Sequence, residues 1–526
     1  MNMEQNYFEQ ERTEEYSFKA ELKKEYWKYL SACLVYALFF VFCFYKNATG
    51  ITAPFFATAT IFILAAVAKK QKIAYQKKSA VIIAAIVLFG LSNCLTVNGG
   101  IIFFNDIFAI FLVLLLIVSY LYHTDGWSFL DYFTKVMNYF AGGIGSAGDL
   151  FSNYIKYKQS HAVIEREPLL KNPQVRAALF GVLCVCPVAG IVLVMLSTSD
   201  VVFGTMLANI FISIIDYRMV GNICGMFFMA AVMFFMAYGL LSQFAKKYGR
   251  EECTLYIEKQ EPMAAITFTG VLLMVYMIFS GIQIGALFLG KMTLPQGYTY
   301  SRYAREGFMQ LLCVCVLNFA IVMICYSFFR ENKILKIILT LMTICTFIMI
   351  SSAAFRMGMY VQAYGLTRKR VLVFWLLLVL FVLFLGVLAA VWNEHFPLFQ
   401  YGTAVVIGMY LILSFSHMDY WIAKYDLFEN TQSIMTDIEA RNDTSGHWSE
   451  KTLAGKVIKR ENIDYVETAL SLDAAPVVFE YYRKENKMQE SDRNYYFMEI
   501  EEKCKGMGIR SFNVSKYIAV TEKEKW

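Results

Sequence analysis

The sequence predicts an all-α protein: a polytopic helical membrane protein of about eleven to twelve spans, with a small soluble helical C-terminal region. Three observations lead there. Apolar stretches near the roughly 20 residues that a helix needs to cross a bilayer core recur from Tyr29 to Ser416. The chain is 58% hydrophobic, with 45 Phe, 26 Met and a mean hydropathy of +0.48, which is too much apolar surface for one soluble core. Charge, by contrast, gathers at the end. Residues 427–526 hold 15 Lys/Arg and 18 Asp/Glu, a net −3 in a chain whose total is +6.

Hydropathy puts spans at 29–45, 51–68, 79–97, 101–122, 177–197, 221–243, 264–290, 307–329, 334–355, 371–392 and 398–416. Charge, Gly/Asn or Pro bounds each one. Helix follows because lipid cannot satisfy open strand edges, and barrel strands would alternate in short segments. The segment 201–215, bracketed by Asp200 and Asp216, is short for a span. It reads as an interfacial or re-entrant helix, with a twelfth span as the alternative. The expected organisation is a polar N-terminal segment 1–28, a four-span part 29–122, a polar loop 123–176 with an amphipathic helix, a main membrane domain 177–426 and a soluble tail 427–526.

Loop charge sets the expected orientation. Arg12, Lys19, Lys23, Lys24 and Lys28 precede the first span, and Lys46 alone follows it. Lys69, Lys70, Lys72, Lys77 and Lys78 come next, then Asn98–Gly100 without a base, then the basic stretch 123–176. This alternation predicts a multi-pass protein of the bacterial cytoplasmic membrane with a cytoplasmic N-terminus. The leader is long and acidic, so no cleavable signal peptide is expected. Eleven spans would leave the tail outside, whereas Arg368-Lys369-Arg370 and Lys424 would suit an inside location.

Several chemistries find little support. Cys184/Cys186 and Cys313/Cys315 are spaced two apart on helices, so each pair points in opposing directions and cannot chelate a metal alone. With five His and no zinc motif, no metal site is expected, and no cofactor. Gly143-x-Gly145-x-x-Gly148 matches the dinucleotide fingerprint, but residues 129–140 before it have helical rather than strand spacing. A flexible hinge is the better reading. The basic excess lies in short loops beside spans, so no nucleic-acid partner is expected.

The candidate site residues are polar groups at membrane depth. Asp106 lies about five residues inside the fourth span, a place where an acid is a candidate for proton or cation handling. If that span begins at Ile107, Asp106 is instead an interfacial N-cap. Gln283 reads as interhelical glue. Before the eighth span, Tyr300, Arg302, Tyr303, Arg305 and Glu306 mix rings and cations, as do Arg356, Tyr360 and Tyr364 after the ninth. Both segments read as a ligand or partner surface or as an interfacial collar. Gly365 looks like a helix C-cap. In the tail, Ile463, Val466 and Leu470, then Val477, Val478 and Tyr481, give two amphipathic helices. Asp473 is read as the N-cap of the second, and 442–449 as a flexible link.

Tyr303-Ala304-Arg305-Glu306-Gly307-Phe308, Tyr364–Thr367, His417–Tyr425 and Ser471–Pro476 carry a resemblance. The chain resembles a family of uncharacterised multi-span bacterial membrane proteins, known only as a domain of unknown function, with a tyrosine–alanine–arginine–x–glycine–phenylalanine signature. The likeness covers roughly 180–480 well and the first four spans only by hydropathy. Lys424-Tyr425-Asp426 stands where that family usually has arginine–tyrosine–asparagine. The resemblance implies membrane class and no activity.

No nucleophile–base–orienter set is evident, so no catalytic residue is assigned and an enzyme is not expected. The expected function is sensing, scaffolding or assisting an envelope process. Membrane lipids are the expected partners, with another envelope protein meeting the tail. A secondary transporter is the alternative, and a transferase acting on lipid-linked substrates the third choice.

Overall fold

The computed structural model describes residues 22, 24–47, 49–71, 73, 77–122, 129–160, isolated positions within 192–206, 217–247, 259–285, 300–393, 395–430, 462–485 and 490–525. Among these there is no strand, only an isolated bridge between Gln260 and Phe329. Nine described helices are long and apolar enough to cross a membrane, and Ser79–Leu95 adds a shorter one. The expected span 177–197 and the segment 201–215 lie largely outside the described residues, as does the link 442–449. Two compact units emerge, Met1–Lys46 with Val136–Glu251, and Asn47–Lys135 with Glu252–Trp526.

In the first unit, α1 (Tyr26–Phe44) runs antiparallel to a later helix, Tyr217–Lys247. Lys46, just past α1, donates to Asn222 near that helix's start at 2.6 Å. At the other end, the Tyr26 ring lies 5.8 Å from Tyr154. The expected glycine hinge is corrected here. Helix continues over Phe129–Ser146, and the turn falls only at Ala147-Gly148, before Asp149–Ser160. A Cβ on Gly239 would come within 2.3 Å of the Gly143 carbonyl oxygen, so the glycines let two helix backbones touch.

In the second unit, α2 (Thr52–Lys70), α3 (Lys77–Leu95) and α4 (Gly99–Leu121) form antiparallel neighbours. Asn98 caps α4, accepting from the Gly100 and Ile101 N–H groups at 3.0 and 3.3 Å. With the other helices numbered in chain order, Phe129–Ser146 is α5, Asp149–Ser160 α6 and Tyr217–Lys247 α7. Then come α8 (Pro262–Gln283), α9 (Tyr300–Phe328), α10 (Lys333–Tyr364) and α11 (Arg368–Trp392). These last four share a dry core that includes Leu273, Cys315, Met342, Met349 and Phe384. Helix α10 has 32 residues, about 48 Å at 1.5 Å per residue. That exceeds a bilayer core, so the helix carries Arg356–Tyr364 past the apolar span. Gly365 ends it at φ 76°, as the expected C-cap.

After α12 (Leu398–Phe415), His417 adopts a left-handed φ of 47° and turns the chain into the short α13 (Met418–Lys424). The tail follows as helix over 462–469, a 3₁₀ turn Leu472–Ala474, α14 (Ala475–Glu485), α15 (Glu490–Cys504) and α16 (Val514–Glu524). Val466, Leu470, Val477 and Val478 are buried, as their spacing predicts.

Candidate functional site

Segments far apart in sequence meet at one end of the second unit, where the tail sits on the helix ends. Asp419, in the first turn of α13, is fully buried. Arg368, the first residue of α11, donates to it with Nε at 2.7 Å and Nη2 at 2.6 Å, the bidentate fork that suits a carboxylate. The Asn98 amide from the α3–α4 loop donates at 3.1 Å, and the Ser471 N–H from the tail at 3.0 Å. One carboxylate therefore joins four chain segments. Burying it costs several kcal/mol unless its oxygens are all occupied, and here they are.

Two more acids fasten the same region. Asp473 accepts from the Thr96 hydroxyl and from the Val97 N–H at 3.0 Å. The expected N-cap role is thus corrected. The side chain reaches across to the α3–α4 loop, and Ser471 caps the 3₁₀ turn. Asp426 accepts from the Leu366 N–H at 2.6 Å. Burial pushes its carboxyl up to about 7, against the opposing pull of the Leu366 N–H and Arg370. A Cβ on Gly365 would meet Asp426 Oδ1 at 2.7 Å and Asn462 Nδ2 at 2.8 Å, so glycine is required there twice over, for its φ and for space. From the tail, the Tyr465 hydroxyl takes the Arg368 N–H at 3.1 Å and so satisfies the start of α11.

A second polar arrangement lies inside the bundle. Because α4 begins at Gly99, Asp106 is two turns into the helix and about 10 Å along it. The N-cap alternative is thereby corrected. The Asn93 amide donates to Asp106 Oδ1 at 2.8 Å, Asn105 donates to Asn93 Oδ1 at 2.8 Å, and the Ser414 hydroxyl donates to Asn105 Oδ1 at 2.8 Å. Ser92 and Ser414 share a further bond at 2.6 Å. From Ser414 onward every donor points toward the acid. Beside it, the Tyr410 ring lies 4.5 Å from Phe108.

The other sequence candidates take separate places. Tyr300, Arg302, Tyr303, Arg305 and Glu306 form the first turns of α9, and their side chains lie outside the described residues. Arg356 is buried, and its Nη2 donates to Gln283 Oε1 at 3.2 Å. The same oxygen takes the Ser352 hydroxyl at 2.7 Å, so Gln283 does link helices α8 and α10. The Tyr360 and Tyr364 rings are 5.1 Å apart, and the Arg370 guanidinium sits 4.2 Å over Tyr360. Sequence reasoning missed Asp419, Asp426, Arg368 and Asn98 as a site. Their signal was indirect: Tyr364–Thr367, His417–Tyr425 and Ser471–Pro476, three of the segments that carry the family likeness, all contribute to this junction.

A family model described as Domain of unknown function (DUF4153) matches residues 30–440. It reaches back through the first four spans, further than the sequence resemblance did, and stops before Ser471–Pro476. No curated protein and no solved structure matches the chain.

Proposed function

The chain belongs to the DUF4153 family, and from its geometry we propose a non-catalytic protein of the bacterial cytoplasmic membrane, with a cytoplasmic N-terminus. It senses, scaffolds or assists an envelope process through the docked state of its tail. The observation that carries this reading is Asp419. Its oxygens take two N–H groups of Arg368, one of Asn98 and one of Ser471. A carboxylate so occupied is a fastening rather than a base or a metal ligand. It ties the tail to the helix ends, so a change in tail position reaches the bundle. Membrane lipids around the spans and another envelope protein at the tail are the partners this reading requires. The N-terminal orientation rests on the Lys/Arg alternation of the first four loops.

The test is complementation of a strain lacking the gene. Asp473→Ala removes two bonds between tail and loop, and Thr96→Val removes one of them. Where protease sensitivity of the tail rises and membrane level is unchanged, the envelope phenotype should no longer be rescued. Full rescue by a chain whose tail is demonstrably released overturns the reading.

One observation favours a second reading, secondary transport. Asp106 stands at the acceptor end of a hydrogen-bonded chain inside a spanning helix, where ionisable groups mark ion or proton paths. Solute uptake into proteoliposomes that Asp106→Asn abolishes would replace the first reading with this one.

A further inference from the structure

We infer that the C-terminal tail is an extracytoplasmic cap, seated on the face of the membrane opposite the basic loops. The inference rests on the membrane reading above and goes beyond it, because loop charge alone left the tail's side open.

The tail touches the helix ends at three places in the second unit. The Phe512 carbonyl accepts from the Ile51 N–H at 3.0 Å and the Arg510 carbonyl from Asn47 at 3.2 Å, at the start of α2. Asp473 holds Val97, the Ser515 hydroxyl donates to the Leu95 carbonyl at 2.7 Å, and Asn513 donates to the Thr96 carbonyl at 2.9 Å, all at the α3–α4 turn. At the α10–α11 turn the Tyr465 hydroxyl takes the Arg368 N–H at 3.1 Å, and the Ser471 N–H donates at 3.0 Å to Asp419, which grips Arg368. Helices α2, α4 and α11 start at these contacts, and α3 and α10 end at them. All three places therefore lie on one membrane face, and the tail lies there with them.

The opposite face carries the most basic of the short turns, the one between α2 and α3. Lys69 and Lys70 close α2, and Lys77 and Lys78 open α3. Lys333 and Lys336 open α10, with Arg330 in the turn before it, and Lys259 precedes α8. Short basic loops stay in the cytoplasm. The apparent exceptions on the tail's face, Arg368-Lys369-Arg370 and Lys424, are mostly taken up by the fold. Arg368 is neutralised by Asp419, Arg370 stacks on Tyr360 and donates to the Tyr364 carbonyl at 2.9 Å, and Lys424 lies 5.3 Å over the Trp421 ring. A long soluble segment crosses largely regardless of its charge, so the tail's composition is no obstacle.

Single cysteines decide the matter in the full-length chain. Ile509→Cys in the tail, 91% exposed, Glu261→Cys before α8 and Lys24→Cys before α1 would each be treated with an impermeant maleimide in right-side-out membrane vesicles, against the wild-type background. Labelling of Ile509→Cys alone, with the other two reacting only after permeabilisation, is the expected result. Protection of all three overturns the extracytoplasmic cap and leaves the N-terminal orientation standing. Labelling of Ile509→Cys together with Glu261→Cys overturns the opposite-face placement. Labelling of Lys24→Cys overturns the orientation, whatever Ile509→Cys does.

Discussion

Each of the two units holds a carboxylate against a cation, and the two pairs are built differently. In the first unit, Lys246 Nζ lies 2.6 Å from Asp149, with side chains 37% and 25% exposed. In the second, Arg368 grips Asp419 with two nitrogens, and the side chains are 31% and 0% exposed, so it is the acid that sits dry. Lysine is a flexible point charge that suits a wet helix end, whereas the planar guanidinium fixes direction as well as charge. The Lys246 ammonium also donates to the Ser146 hydroxyl, and Ser242 supports Asp149, so losing the lysine leaves the acid with a partner and with water. Asp419 has no water to fall back on. The difference teaches that a wet pair lends modest support, whereas a dry one makes the fold around it all-or-none.

The largest expected effect follows from breaking the dry pair. Asp419→Ala would leave the Arg368 fork without its partner and orphan the Asn98 amide and the Ser471 N–H, costing about 3 kcal/mol, the lower end of the range for a fully buried pair because Arg368 keeps some contact with water. Limited proteolysis in detergent should then cut the tail free while the spans stay protected, and thermal unfolding should begin earlier. Arg368→Lys sharpens the comparison. It keeps the charge but loses the fork, so if it matches wild type, geometry is not what distinguishes the two pairs.

Gly365→Ala comes next. It places a Cβ against Asp426 and Asn462 at a φ of 76°, at a cost of about 1–3 kcal/mol. The expected sign is release of the tail at α10–α11, visible as faster hydrogen exchange over 462–485.

Acidity acts on the same contact. Asp426 has its pKa raised from an ordinary 3.8 to about 7, so the folded contact binds a proton more tightly than the open one does. Its contribution to docking is fully present below about 4 and is lost as pH rises through about 7. Protection over 462–485, taken relative to the base-catalysed exchange of a free amide at each pH, should therefore rise between pH 8 and pH 6, and Asp426→Asn should flatten that rise. A fall in that protection on acidification would contradict it.

The smallest effect belongs to the wet pair. Lys246→Met should cost under about 1 kcal/mol and fade further in salt. A loss as large as that of Asp419→Ala would mean that exposure does not separate the two.

Hydropathy alone was enough for the described spans because each apolar run announces its own helix. It ends the ninth span at residue 355, whereas the helix runs on to the expected Gly365 cap, with Arg356 covered beside Gln283. The glycines 143 and 145 read as a hinge because a lone sequence cannot register the second glycine, Gly239, against which Gly143 packs. Asp473 read as a cap because local spacing offers that role first, and its real partner, Thr96, is 377 residues away.

What the sequence by itself determined is membrane residence, the helical class, the described spans, the charged tail and the Gly365 cap. All of these depend on runs of neighbouring residues, where local hydrophobicity and backbone preference act directly. What only the tertiary structure decided is which buried acids are fastenings. Asp419, Asp426 and Asp473 look alike as letters. They differ because folding brings an arginine fork, a backbone N–H or a loop hydroxyl to each from a distant segment, and a buried charge takes its meaning from the partner that compensates it.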